Sequence, residues 1–255
     1  MKLENKVAVI VGAGSGMGRA SALLFAAEGA KVVVGDFNDA AGTKVTEEIK
    51  AAGNEACFCH VDATKPASVK GIMDFAVSTY GKINVVFCTA GKPQTVKMIW
   101  DLDDEEFDRQ ITINSKTAWL CAKYSALELK KNHGSLILIG STGAVRCRAT
   151  QGTYGACKAF NNTFTIGMAC ELAPEARCNL INPGPTDTPM FPEFIVGEYT
   201  DAVRAGVAGS TLLGRFVDPR DIANMALFFA SDDSAAVTGV SVLCDCGADK
   251  SRGKN

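Results

Sequence analysis

A chain of 255 residues, 47% hydrophobic and 21% charged, holds enough apolar material for one well-cored domain. Its formal net charge of −2 gives no electrostatic pull toward nucleic acid or an anionic membrane, and no apolar run reaches the roughly 18–20 residues of a membrane span. The start, Met1-Lys2-Leu3-Glu4-Asn5-Lys6, leads into a strand-like run without a signal-peptide layout, so a cytoplasmic protein is expected.

Val7-Ala8-Val9-Ile10-Val11 reads as a buried strand, followed by a helix through Arg19 to Phe25. Lys31-Val32-Val33-Val34 is a second strand, and 39–52 a second helix ending at Gly53. Further strands are expected near 56–61, 84–87, 135–139, 179–181 and 240–243, separated by helical segments that include a long one over about 104–131. Alternation of this kind predicts a doubly wound, Rossmann-like parallel sheet of about seven strands with helices on both faces. No linker or low-complexity segment divides it, so 1–255 is taken as one domain. Residues 188–214 depart from the pattern, mixing Pro189, Pro192 and several glycines with Phe191, Phe194 and Tyr199. That composition suggests a mobile insertion with an apolar face, a lid.

Ten cysteines lie scattered through apolar segments and read as reduced, buried thiols. Cys57, Cys59, His60 and Asp62 are metal-ligand types, but strand alternation points the two cysteines one way and His60 the other, so no metal is expected. The second histidine, His133, sits in a turn-like stretch, which leaves no Ser-His-Asp hydrolase to assemble.

In an open parallel sheet, ligands bind beyond the carboxyl ends of the strands. The first strand is followed by Gly12-Ala13-Gly14-Ser15-Gly16-Met17-Gly18, which opens a helix. Glycines there let backbone N–H groups approach a pyrophosphate at a helix N-terminus. Asp36, eighteen residues beyond Gly18, ends the second strand and suits the two ribose hydroxyls of an adenosine. A carboxylate there repels a 2′-phosphate. Neither Phe37 behind it nor Ser15 and Met17 in the turn supplies a cation, so NAD is favoured over NADP. Asp62-Ala63 after the third strand can meet the adenine, and Cys88-Thr89-Ala90-Gly91 after the fourth lets a flat ligand approach. Pro183-Gly184-Pro185-Thr186-Asp187-Thr188 follows the sixth, a backbone-exposed turn able to meet a carboxamide.

Tyr154 and Lys158, four apart on an expected helix, share one face, and Ser141 ends the fifth strand thirteen residues before the tyrosine. A fixed cation beside a phenol favours phenolate and lowers its pKa toward the range useful for acid–base work. The serine is placed to hold a substrate oxygen in line with the phenol.

With these residues together, the chain resembles the short-chain dehydrogenase/reductase family over essentially its whole length. The matching motifs are Gly12-x-x-x-Gly16-x-Gly18, Asp36, Asp62, Ala90-Gly91, Asn114, Ser141, Tyr154-x-x-x-Lys158, Pro183-Gly184 and Thr188. The resemblance implies that Tyr154 is the acid/base, that Ser141 orients the reacting oxygen, and that Lys158 lowers the Tyr154 pKa while holding the nicotinamide ribose. It further implies that Asn114 holds a water linking Lys158 to a proton relay and that Thr188 anchors the nicotinamide carboxamide. A homotetramer (or homodimer) built on two long helices, over about 104–131 and 152–172, is implied as well. Two positions depart from the family pattern: Cys88-Thr89 stands where Asn-Asn is usual, and Val11 replaces a threonine whose hydroxyl ties the turn down.

The expected activity is NAD(H)-dependent interconversion of a secondary alcohol and a ketone. Gln94, Gly143, Val145, Gln151, Met190, Phe191 and Phe194 are the expected substrate contacts, and their apolar bias favours a hydroxysteroid or ring alcohol. Arg146 and Arg148 are read first as solvated or interface arginines, with an anionic substrate group as the alternative. A 3-ketoacyl-thioester reductase and a non-catalytic, NAD-sensing regulator are the competing readings.

Overall fold

The computed structural model describes residues 1–251. Seven parallel strands, β1 (Val7–Val11), β2 (Lys31–Asp36), β3 (Ala56–His60), β4 (Val85–Cys88), β5 (Ser135–Ile139), β6 (Arg177–Pro183) and β7 (Ser241–Cys244), form one sheet in the order β3-β2-β1-β4-β5-β6-β7. Each expected strand is present, β1 and β5 with the expected bounds and the others with ends shifted by one or two residues. All five residues of β1 and of β5 are buried, as strands covered on both faces must be.

The period of two divides each strand between two cores. Ala8 and Ile10 face a layer containing Ala22 and Phe25 of α1 (Gly16–Ala27), Val45 and Ile49 of α2 (Asp39–Ala51), and residues of a C-terminal helix. Val9 and Val11 face the opposite layer, with Val69 and Ile72 of α3 (Pro66–Tyr80). Asn38 caps α2, its Oδ1 accepting from the Ala41 N–H at 3.0 Å.

The long helix expected over 104–131 is continuous in path but not in pitch. It comprises α4 (Asp104–Gln110), a π-helical turn (Ile111–Lys116) and α5 (Thr117–Lys131). A π turn shifts the hydrogen-bond register locally and is frequent at functional sites. Here it holds Asn114, which is buried. The helix α6 (Gly152–Leu172) carries Tyr154 and Lys158. The departing segment 188–214 contains a 3-10 turn (Phe191–Phe194) and α7 (Asp201–Gly209), after which α8 (Pro219–Ala230) closes the first core layer.

Cys88, Cys121, Cys157 and Cys178 are buried, as expected of small hydrophobes, but Cys147 and Cys170 are exposed. The outer face of an amphipathic helix, invisible to a composition argument, accounts for Cys170. Among the described residues no helix is long and apolar enough to cross a membrane, and no three His, Cys, Asp or Glu gather as metal ligands.

Candidate active site

The strand order reverses between β1 and β4, which opens a crevice at their carboxyl ends. Gly12, Ser15, Gly16, Met17, Gly18, Asp36, Phe37, Asp62, Ala63, Thr89, Ala90, Gly91 and Thr188 line one groove there. Helix α1 begins at Gly16 with no side-chain cap from Ser15, so its first N–H groups are left for an anion. A Cβ on Gly18 would lie 2.1 Å from the Gly12 carbonyl oxygen, so only glycine lets the helix meet the turn this closely. The hydroxyl missing at Val11 has a substitute. Thr89 Oγ1 shares its proton between the carbonyls of Val11 and Gly12, 3.0 Å from each, and ties the turn down from β4.

Asp36 is held in place by the turn it serves: Oδ2 accepts from the Gly14 N–H at 2.7 Å and Oδ1 from the Asn38 N–H at 2.9 Å. Asp62 Oδ1 accepts from the N–H and hydroxyl of Thr64, at 2.9 and 2.6 Å. Burial works to raise its pKa, but these bonds outweigh it and hold the carboxyl below the usual range. A groove with backbone N–H groups at one point, a fixed carboxylate beyond them and small residues on the floor fits a dinucleotide.

The groove is continuous with a second cavity through Met17, Thr188 and Met190, which line both. Ser141, Gly143, Gln151, Tyr154, Phe191 and Phe194 line this second space, with Pro183, Gly184 and Thr186 on its floor. The backbone fixes Ser141: its N–H donates to Asn182 Oδ1 at 2.8 Å, and its Oγ accepts from the Gly143 N–H at 3.0 Å. Tyr154 meets the edge of Phe194, with ring centroids 5.3 Å apart.

The electrostatics of the pair differ from expectation. Burial pushes the Tyr154 phenol up to about 12, with a bond to Ser141 pulling the other way. The Lys158 ammonium lies over the ring face, 5.6 Å from its centroid, and donates to the Ile139 carbonyl at 3.3 Å. Lys158 is itself buried, which brings its pKa down to about 8 despite Cys88 and Cys157 nearby. It lines neither cavity.

Asn114 uses its side chain as a clamp. Its Oδ1 accepts from the Lys92 N–H at 3.2 Å, while Nδ2 donates to the Lys92 carbonyl at 2.9 Å and to Gln110 Oε1 at 2.7 Å. Its own carbonyl, turned out by the π turn, accepts from Asn161 Nδ2 at 2.9 Å; the same amide reaches the Ile139 carbonyl at 3.2 Å. Asn161 was not singled out from the sequence. The available signal was a polar pair, Asn161-Asn162, three residues past Lys158 on an otherwise core-facing helix.

Two expected substrate contacts are corrected. Gln94 is 2% exposed and outside the cavity; its Oε1 accepts from the N–H groups of Thr153 and Tyr154, so it caps α6. Val145 is 60% exposed and turns outward from the loop after Ser141. Arg146 and Arg148, read first as solvated, are indeed exposed, and both also border the cavity.

A dinucleotide groove opening onto a serine–tyrosine pocket is the arrangement of an oxidoreductase. The family model described as enoyl-(acyl carrier protein) reductase matches residues 12–249, and the chain belongs to the short-chain dehydrogenase/reductase family. It is 35% identical over 253 residues to a 2,5-dichloro-2,5-cyclohexadiene-1,4-diol dehydrogenase of Sphingobium indicum, covering 96% of this chain and 97% of that one. It is 33% identical over 247 residues to a cyclohexanol dehydrogenase of Acinetobacter sp., covering 96% and 95%. A 3-ketoacyl-(acyl-carrier-protein) reductase from Brucella melitensis, solved in complex with NADH, superposes with a TM-score of 0.89 at 32% identity, over 97% of this chain and 99% of that one.

Proposed function

We propose that the protein is an NAD(H)-dependent oxidoreductase interconverting a secondary alcohol and a ketone on a ring-bearing substrate. The observation that carries this reading is the sharing of one pocket by Ser141 and Tyr154, open to a groove that ends at the fixed carboxylate of Asp36. Bound NAD(H) supplies the hydride donor or acceptor. The chain's own residues handle the oxygen and its proton. Ser141 donates to the reacting oxygen, and Tyr154 gives it a proton in reduction or takes one in oxidation. With its pKa pushed up to about 12, the phenol keeps its proton at neutrality in the free protein. In this reading Lys158, mostly charged at pH 7, and Asn114 serve as its proton relay.

Asp36 supports NAD over NADP, because a 2′-phosphate there meets a carboxylate already satisfied by two N–H groups. Met190, Phe191 and Phe194 give the pocket an apolar wall suited to a ring, and two of the relatives named above are dehydrogenases of cyclic alcohols. Residues 188–214 serve as its lid. A cytoplasmic homotetramer (or homodimer) is part of the reading; Trp119 on α5 with Phe160 and Ile166 on α6 leave an exposed apolar surface for a partner copy.

The test is NAD reduction across cyclic, steroidal, acyl-thioester, sugar and anionic secondary alcohols, with a Tyr154→Phe variant in parallel. Turnover of ring alcohols that drops at least a hundredfold in Tyr154→Phe, with NADH binding retained, supports the reading. Near-normal turnover by that variant overturns it. The solved relative favours a second reading, a 3-ketoacyl-thioester reductase. Efficient NADPH-dependent reduction of an acetoacetyl thioester is the outcome that selects it.

A further inference from the structure

The pocket of Ser141 and Tyr154 contains two charges that the proposed reaction leaves unused. Arg146 and Arg148 both line it, and no aspartate or glutamate does. Arg146 Nη1 donates to the carbonyls of Ala248 and Ser251, at 2.8 and 2.9 Å, acceptors that position the guanidinium without neutralising it. Arg148 has no side-chain hydrogen bond or ion pair among the described residues.

Both arginines are displayed from a fastened loop. The Arg146 N–H donates to the Thr142 carbonyl at 2.8 Å, and the Gln151 N–H to the Arg148 carbonyl at 3.2 Å. Cys147 Sγ donates to the Gln151 carbonyl at 3.2 Å and packs so closely on α6 that a Cβ at Gly155 would lie 2.6 Å from it. The loop backbone is thereby pinned on both sides of the arginines, so the ordering left for a ligand to impose is that of the side chains.

Two positive charges facing one cavity repel each other, and the apolar wall of Met190, Phe191 and Phe194 weakens the screening between them. The same low-dielectric wall strengthens attraction for an anion that enters. Guanidinium forks match the oxygen geometry of carboxylate and sulfonate groups. Solvated arginines covering apolar surface with their stems are the ordinary alternative. Both side chains are exposed, as that alternative has it, but it does not account for two of them bordering one cavity that no acid among the described residues lines.

We propose that Arg146 and Arg148 form an anion subsite, and that the substrate is a ring alcohol or ketone bearing a carboxylate or sulfonate remote from the reacting carbon. This rests on the reading of the Ser141–Tyr154 pocket as the substrate site. A phosphate on an acyl-carrier arm presents related chemistry from a different source, and the test separates the two.

The experiment compares kcat/KM with NAD for cyclohexanol, 4-hydroxycyclohexanecarboxylate and 4-hydroxycyclohexanesulfonate, in the native protein and in Arg148→Gln, Arg148→Lys and the Arg146→Gln/Arg148→Gln double variant. Thermal unfolding confirms that each variant folds. The charged alcohols are expected to be preferred by about tenfold or more, the scale of one charge-assisted bond. Arg148→Gln should erase most of that ratio, Arg148→Lys should keep part of it, and added salt should reduce it. Equal specificity for charged and neutral rings in the native protein overturns the proposal, as does a preference that survives in the double variant. In a parallel arm, acetoacetyl-coenzyme A is compared with its neutral N-acetylcysteamine thioester. A charge preference confined to that pair assigns the arginines to a carrier phosphate and rejects the ring acid.

Binding to the NADH-loaded protein, read by fluorescence quenching with 4-oxocyclohexanecarboxylate and cyclohexanone, is independent of turnover. If no ring alcohol reacts, the dehydrogenase reading fails, yet binding still decides the subsite. A tenfold advantage for the acid that Arg148→Gln removes upholds it, and equal affinities reject it.

Discussion

Lys92 Nζ lies 3.1 Å from Glu193 Oε1, an ion pair that joins the loop after β4 to the 3-10 turn of the proposed lid. Behind it the Asn114 side chain holds the Lys92 backbone at both its N–H and its carbonyl. The floor of the dinucleotide groove is thereby linked to the segment above the pocket through one residue. Both charged groups are about half exposed, so Glu193→Gln is expected to change global stability by less than about 0.5 kcal/mol. Its effect should be kinetic. NADH should leave the variant a few times faster at low salt, with the difference fading as salt rises. Stopped-flow displacement measures this, and an unchanged release rate removes Glu193 as a latch.

Lys158 makes stability depend on pH in a definite direction. Its folded pKa of about 8 lies below the ordinary 10.5 because the ammonium is buried. Below pH 8 both folded and unfolded chains hold the proton, and the folded chain bears the full cost of burying the charge. Between pH 8 and 10.5 the unfolded chain keeps a proton that the folded one has shed, so this residue's contribution rises with pH. The shift corresponds to about 3 kcal/mol. Lys158→Met should therefore stabilise the free protein near pH 7 by up to that amount, with the advantage shrinking toward zero by pH 10.5, while activity is lost. Urea unfolding at pH 7 and pH 10 reads the difference. A variant that is less stable at pH 7 contradicts the buried-charge account.

The sheet and the glycine turn were legible because they follow from local regularities: β-branched runs, glycines beyond a strand, and an acid one strand later. The pocket was legible only in part. Gln94 and Val145 stand in loops expected to line it, but whether a loop side chain turns into a cavity, onto a helix N-terminus or out to water is set by neighbours distant in sequence. Gln94 meets the open N–H groups of α6, and Val145 meets none of the wall. The rise in the Tyr154 pKa was hidden for a related reason: helix spacing gives the lysine's proximity, whereas the balance of burial against charge depends on where the ammonium sits relative to the hydroxyl. The π turn that presents the Asn114 carbonyl has no signature in the run Ile111-Thr112-Ile113-Asn114.

Asp36 sets an expectation for cofactor choice. Because its carboxylate accepts from Gly14 and Asn38, Asp36→Asn keeps an acceptor at the turn while removing the charge. The native protein should favour NAD over NADP in kcat/KM by about a hundredfold or more, and the variant should narrow that ratio about tenfold, equivalent to about 1.4 kcal/mol. Steady-state rates with both cofactors on one alcohol decide it. A native protein indifferent to the 2′-phosphate shows that Asp36 does not read the ribose.

Asn161 carries the last expectation. Its Nδ2 is shared by the carbonyls of Asn114 and Ile139, and the Ile139 carbonyl also receives the Lys158 ammonium, so one amide aligns two members of the proposed relay. The side chain is 1% exposed and its Oδ1 has no partner among the described residues, a cost retained where the donor end is needed. Asn161→Leu keeps the branching and heavy-atom count though it is bulkier, and it relieves that orphan oxygen, but it strips the donor from the Asn114 carbonyl inside the π turn. The two effects oppose each other, leaving an expected stability loss of about 1–2 kcal/mol. A positioning residue should also lower kcat several-fold with little change in KM, because the alcohol pocket is untouched while the lysine behind the tyrosine loses its alignment. Urea denaturation and steady-state kinetics on the same preparation separate these outcomes. A variant that loses stability but keeps native kcat over the full pH range reduces Asn161 to a packing residue.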